Sequence, residues 1–197
     1  WQHLLDRGIS PTALERYARC PYQYFAVNLL ELHELQRPED ISSLGPSVIG
    51  QLSHTILKSL YRQLMNEGYF TGDLSKGTWS TQLDEIARKA FSDYASENPV
   101  GYPVAWEVLG EELGHLLHQV VERDLEELAA SGFRPMALEP EWRGRLEEGW
   151  PEPLGHLPIV GSPDRIDYEP EQPHYRVIDY KLRMGKNESS EDHNLLQ

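Results

Sequence analysis

Apolar positions recur at helical spacing from Ser10 to Ser131, then give way to short β-type runs after Gly132. Spacings of three and four residues put side chains on one helix face, whereas a spacing of two puts them on one face of a strand. Ser10-Pro11 reads as a helix start, with Ser as N-cap and Pro in the first turn. The helix runs on through TALERYARCPYQYFAVNLLEL, with Leu14, Tyr17, Tyr24, Phe25 and Leu29 on one apolar face and Pro21 forcing a kink or break. Residues 36–47 read as a loop, and VIGQLSHTILKSLYRQLM as a second amphipathic helix ending near Asn66-Glu67-Gly68. YFTGDLSKGTW is a connector; helices are expected over 79–97 and 103–131, separated by ENPVGYP.

After Gly132, PMALEPEWRGRL alternates weakly and suits a strand, and EEGWPEPLGH reads as a turn. LPIVGSPDRIDY and HYRVIDYKL are two β-type runs joined by EPEQP, the pattern of a hairpin. Helices first and strands afterwards suggest an α/β or α+β layer, a small mixed sheet covered by helices.

A hydrophobic fraction of 39% supports a real core. No apolar run approaches the roughly 18 residues that span a bilayer, so no membrane association is expected. Cys20 is the only cysteine, which excludes an internal disulfide and favours a cytoplasmic setting. A four-cysteine cluster needs cysteines from elsewhere. The first residue is not Met and EDHNLLQ stops inside an apolar pattern, so the expectation is a C-terminally truncated piece of a longer protein. The formal net charge of −14 runs against nucleic-acid binding, which usually relies on a basic face. Carboxylates that hold a cation add negative charge by design, which softens that objection.

The chemistry centres on Asp164, Asp179 and Lys181. If the two strand ends meet, both carboxylates can hold one hard cation such as Mg2+, with the Tyr180 backbone carbonyl as a further oxygen donor. Lys181 lies two residues beyond Asp179 and shares its strand face, where its ammonium can orient a metal-bound water and stabilise charge on a phosphate. Tyr180 points the other way, into the core. The plainer reading is an exposed Asp179–Lys181 ion pair worth under ~1 kcal/mol. His54, in helical phase with Leu57, Leu60, Tyr61 and Leu64, reads either as a partly buried partner or as a ligand better suited to Mn2+. His115 and His118 share a helix face without an HExxH pattern and read as surface or packing residues. Glu111-Glu112 and Glu126-Glu127 read as solvated helix faces. Trp79, Trp106, Trp142 and Trp150 are core or rim residues or base-stacking platforms.

Five stretches in order resemble one family. SPTALERYARCPYQYF, IGQLSHTILKSLY, PVAWEVLGEELGHLLHQVVERDLEEL, ALEPEW and the pair GSPDRID and VIDYK are similar to the RecB-like nuclease domain of AddB-type helicase–nuclease subunits, of the PD-(D/E)XK superfamily. The resemblance implies a restriction-endonuclease-like α/β core, a small mixed sheet flanked by helices with a large helical N-terminal part. It implies a single domain over 1–197, with a helical insertion at about 66–131 and the sheet core with the catalytic motifs at about 132–197. It implies His54 and Asp164 as metal-site residues, Asp179 as central ligand beside the Tyr180 carbonyl, and Lys181 as the catalytic lysine. Glu139 corresponds to the family's preceding strand glutamate. Gln197 corresponds to the first residue of a DNA-contacting Gln-x-x-x-Tyr motif. Cys20 is either an iron–sulfur ligand, completed only by three cysteines beyond Gln197, or an ordinary buried cysteine. LRMGK follows the DYK where the family often has a Thr-Gly turn. The implied function is Mg2+- or Mn2+-dependent exonucleolytic hydrolysis of DNA beside a helicase subunit or domain, in recombination and repair. The rivals are a catalytically degenerate fold that binds DNA or scaffolds a partner, and an RNA or restriction-type nuclease.

Overall fold

The computed structural model describes residues 6–32, 46–71, 78–145 and 158–181. Gln197, Trp150 and most of the expected loop, connector and turn segments lie outside the described residues. The elements run α1 (Pro11–Arg19), α2 (Pro21–Tyr24), a π-helical turn (Phe25–Leu29), α3 (Pro46–Asn66), α4 (Thr78–Glu97), α5 (Pro103–Ser131), β1 (Arg134–Leu138), β2 (Trp142–Arg145), β3 (Pro158–Gly161), β4 (Arg165–Tyr168) and β5 (Tyr175–Ile178). They fall into two units, Trp1–Leu35 with Pro140–Pro163, and Gln36–Glu139 with Asp164–Gln197.

In the first unit Ser10 caps α1, its Oγ accepting the Ala13 N–H at 3.2 Å. Proline disfavours the helical region for the residue before it, and Cys20 is extended at φ −159°, ψ 105°, so the chain breaks between α1 and α2. That break takes the two segments out of phase and the expected apolar face does not bury: Leu14, Tyr17, Phe25 and Leu29 are 41%, 54%, 46% and 44% exposed. Ile9 and Ala13 are the buried pair instead, with Tyr24 packed against them. β2 pairs antiparallel with β3, and Ile9 adds one parallel bridge to Ile159.

The second unit holds the main core. Leu52, Ile56, Leu60 and Leu64 form one stripe of α3, and Leu109, Leu113, Leu117, Val121 and Leu125 one stripe of α5. These four-residue spacings keep each stripe on the face turned toward the other elements. α5 stops at Gly132, whose φ of 76° lets its N–H reach back to the Leu128 carbonyl at 3.1 Å. Leu60 is fully buried. Leu60→Ala is expected to lower unfolding free energy by about 2–5 kcal/mol, read from urea denaturation.

Two expected strands divide. PMALEPEWRGRL becomes β1 and β2, in different sheets, because the chain turns at Glu139, a non-glycine residue with φ 43°. LPIVGSPDRIDY becomes β3 and β4, separated by Ser162-Pro163-Asp164. The three-stranded sheet of the second unit has the order β1-β4-β5 and is antiparallel throughout. The expected mixed sheet is therefore replaced, among the described residues, by two small antiparallel sheets. The hairpin β4–β5 forms as expected, closed where the Glu169 N–H donates to the His174 carbonyl at 3.0 Å.

Candidate active site

The hairpin register brings the carboxylates together. Arg165 pairs with Ile178, so Asp164, the residue before β4, flanks Asp179, the residue after β5, at the open end of the hairpin. The sequence pattern puts Asp164 near the end of a long strand; it leads into β4 instead, and that is why the two meet. Asp164 Oδ1 hydrogen-bonds His54 Nδ1 on α3 at 2.7 Å, and Asp164 Oδ2 accepts the Tyr180 N–H at 2.5 Å. The Glu139 N–H donates to the Asp164 carbonyl at 2.9 Å, so the turn out of β1 also holds this residue. Lys181 Nζ lies 3.3 Å from Asp179 Oδ2, with the two side chains 74% and 50% exposed. Alternation along β5 explains the split: Ile178 and Tyr180 are buried, and Val177, Asp179 and Lys181 are exposed.

The Asp164 bond raises the His54 pKa; burial opposes it, and the charges of Asp164, Asp179 and Glu139 add to the rise. Burial alone would lift the Asp164 carboxyl, but bonds from His54 and the Tyr180 N–H, the His54 charge and the neighbouring Asp179 side chain outweigh it and hold the pKa below the ordinary value. The stability linkage has opposite signs for the two groups. His54 contributes fully below 6.5 and loses its contribution as pH rises through its raised folded value; Asp164 contributes above 3.8 and loses its contribution as pH falls through its lowered one. The pair therefore stabilises the metal-free chain most between those two reference values.

Behind this end of the hairpin lies a buried charge network that the sequence pattern does not announce. Arg165, Asp124 and Asp167 are 0%, 1% and 0% exposed. Arg165 grips Asp124 of α5 with two bonds of 2.6 and 2.9 Å, and Asp167 with two of 2.7 and 3.0 Å. Its Nη1 also donates to the Tyr180 hydroxyl at 2.6 Å. The Tyr61 hydroxyl donates to Asp124, and the Tyr61 ring lies 4.4 Å from the guanidinium carbon. Burial lifts the Tyr61 and Tyr180 phenols well above their ordinary range, so both stay protonated. Arg176 adds a 2.9 Å bond to Asp167 and a pair with Glu127, which is thus not simply a solvated glutamate. The sequence does hold a signal: Asp124 shares the phase of the buried α5 stripe, four residues before Leu128.

Lys58, one helical turn beyond His54, pairs with Glu139 beside Asp164. Cys20 is free and half-buried in the first unit. His118 hydrogen-bonds Asp84 at 2.7 Å and His115 meets Gln119 at 3.0 Å, both on the exterior. Trp106 packs on Phe91 and Tyr94, Trp79 on His118, and Trp142 is exposed.

Among the described residues, no three His, Cys, Asp or Glu side chains are already spread around a common centre. The bonding explains this, since both Asp164 oxygens are engaged, one with His54 and one with the Tyr180 N–H. The donor types nevertheless fit a hard divalent cation: two carboxylates and an imidazole, with one imidazole nitrogen and one carboxylate oxygen released when the His54–Asp164 bond opens.

Residues 8–197 match the family described as the PD-(D/E)XK nuclease superfamily. The chain is similar to an ATP-dependent helicase/deoxyribonuclease subunit of Lacticaseibacillus casei, 26% identical over 200 residues that cover 94% of this chain and 16% of that protein. It is similar to the same-named protein of Moorella thermoacetica, 29% identical over 193 residues, covering 90% of this chain and 16% of that protein. The helicase/deoxyribonuclease subunit of Desulforudis audaxviator is 28% identical over 183 residues, covering 88% of this chain and 15% of that protein. The chain thus spans about a sixth of the length of these curated relatives. No helix among the described residues is long and apolar enough to cross a membrane.

Proposed function

The chain belongs to the PD-(D/E)XK nuclease superfamily, and from that premise we propose that it hydrolyses DNA phosphodiester bonds with Mg2+ or Mn2+, as the exonuclease part of a helicase–nuclease acting in recombination and repair. The observation that supports this reading most is the convergence of Asp164, Asp179, Lys181 and His54 at one end of one hairpin. Asp164, Asp179, His54 and the Tyr180 carbonyl would hold the cation. When bound, it supplies Lewis acidity, lowering the pKa of a coordinated water and polarising the phosphoryl oxygen. Lys181 donates to the attacking water or to a phosphate oxygen, and its charge offsets the negative charge gathering on the phosphate. Its exposure leaves the ammonium free to reach substrate. Asp179 holds Lys181 at the site until then.

DNA as substrate follows from the deoxyribonuclease in the relatives' names, and the helicase subunit or domain from the same names. Residues 1–197 are read as one nuclease domain, with 66–131 a helical insertion, on a restriction-endonuclease-like core with a large helical N-terminal part. Gln197 is read as a DNA contact on the following helix. Cys20 joins an iron–sulfur cluster only if cysteines beyond Gln197 complete it. The test is release of nucleotides from end-labelled linear DNA: cleavage with Mn2+ that stops with excess EDTA supports the reading, and no cleavage at any metal concentration refutes it.

One pH dependence follows. A proton on His54 competes with the cation for the imidazole, and Asp164 holds that proton more tightly than in free histidine. Mn2+ affinity is expected to rise as pH increases through His54's raised pKa, above 6.5. Calorimetric titrations at pH 6 and pH 8 check it: tighter binding at pH 8 in the wild type, and a flattened dependence in His54→Ala.

A further inference from the structure

Tyr180 stands between the two residues that carry the chemistry, yet its side chain faces the opposite way, into the Arg165 network. We infer that Tyr180 and Arg165 are positioning residues: the buried network anchors the Tyr180 phenol, and through its backbone sets the spacing of Asp164, Asp179 and Lys181. This rests on the proposed metal-dependent site.

The links are continuous. Asp124 fixes Arg165 to α5, Asp167 fixes it within β4, and Tyr61 of α3 covers it and stacks on Tyr180 with ring centroids 6.5 Å apart. Arg165 Nη1 then holds the Tyr180 hydroxyl at 2.6 Å, and the Tyr180 N–H holds Asp164 Oδ2 at 2.5 Å. Three packed elements thereby bear on one residue just past the end of β5. A planar guanidinium with its donors filled is a rigid anchor, whereas an apolar contact at the same place would allow the strand end to slide. Without this hold the Tyr180 amide would stay on Asp164 less of the time, and Asp179 and Lys181 would spread over a range of positions.

Tyr180→Phe removes only the hydroxyl and leaves Arg165 its four bonds to Asp124 and Asp167. Arg176→Gln is the control, because it trims the same network at Asp167 and touches no residue of the site. Two readouts are made on the full chain. In metal-free protein, hydrogen exchange of the residue-180 amide is expected to speed up about tenfold in Tyr180→Phe and to stay at the wild-type rate in Arg176→Gln. In calorimetry, Mn2+ binding is expected to weaken about tenfold in Tyr180→Phe and to stay at the wild-type affinity in Arg176→Gln. Asp124→Asn, which reaches the site only through Arg165 and Tyr61, should move both readouts in the same direction. Unchanged amide exchange and Mn2+ affinity in Tyr180→Phe would overturn the inference, as would equal changes in Arg176→Gln, which would mark a general loss of stability. Absence of Mn2+ binding by the wild type would refute the metal site itself, while the exchange readout still decides whether Tyr180 holds the strand end.

Discussion

Lys181→Ala is expected to slow DNA cleavage by about 10²–10³-fold, the usual effect of deleting one donor aimed at developing charge. Asp179→Ala should fall further, because it removes a proposed cation ligand together with the group that pairs with Lys181. Neither change should unfold the chain. The pair is half or more exposed and worth under about 1 kcal/mol as an ion pair. Cleavage rates over a range of Mn2+ concentrations, with thermal melts of the same samples, separate the two effects. Excess Mn2+ should recover part of the Asp179→Ala loss and none of the Lys181→Ala loss, since only the first variant lacks a ligand. Full activity in both variants would dismiss the assigned roles.

The second large effect is on stability. Arg165→Ala leaves Asp124 and Asp167 buried without their shared counter-charge. Removing one partner of such a buried set costs about 3–5 kcal/mol, a large part of the roughly 5–15 kcal/mol that holds a domain together. Arg165 carries the loss rather than Arg176, because Arg176 is partly exposed and water can take over its role. A triple variant with Arg165, Asp124 and Asp167 all made apolar should regain much of the stability, since the penalty lies in the unpaired charges. Chemical denaturation of the single and triple variants measures both. The triple variant should nevertheless bind Mn2+ poorly, because Tyr180 has lost its anchor.

Much of this is legible in the chain. Strongly periodic segments such as 103–131 carry their own boundaries: Pro103 opens the helix and Gly132 closes it. The hairpin is legible from two apolar runs and a turn, and Asp179, Tyr180 and Lys181 from alternation along β5. What escapes is set by tertiary packing. In β4 the alternation would bury Ile166 and Tyr168, yet Arg165 and Asp167 face the interior, because Asp124 and two phenols wait there for them. No local pattern announces a buried arginine; its partner on α5, Asp124, is 41 residues away. The division of the two long β-type runs is also hidden, since Glu139 adopts a left-handed backbone conformation that glycine usually marks. The apolar face expected across Pro21 fails because the extended Cys20 separates its two halves. Gln197 and the whole LRMGK stretch lie outside the described residues.

The most direct measurement is calorimetric titration of the full chain with Mn2+ at pH 8, beside Asp179→Ala. The wild type is expected to bind one cation at millimolar concentration or below, and Asp179→Ala is expected to bind it far more weakly, without saturation in the same range. Absence of saturable binding in the wild type, or equal binding in the variant, would contradict a cation held by Asp164, Asp179 and His54 and would favour a nuclease fold kept as a scaffold.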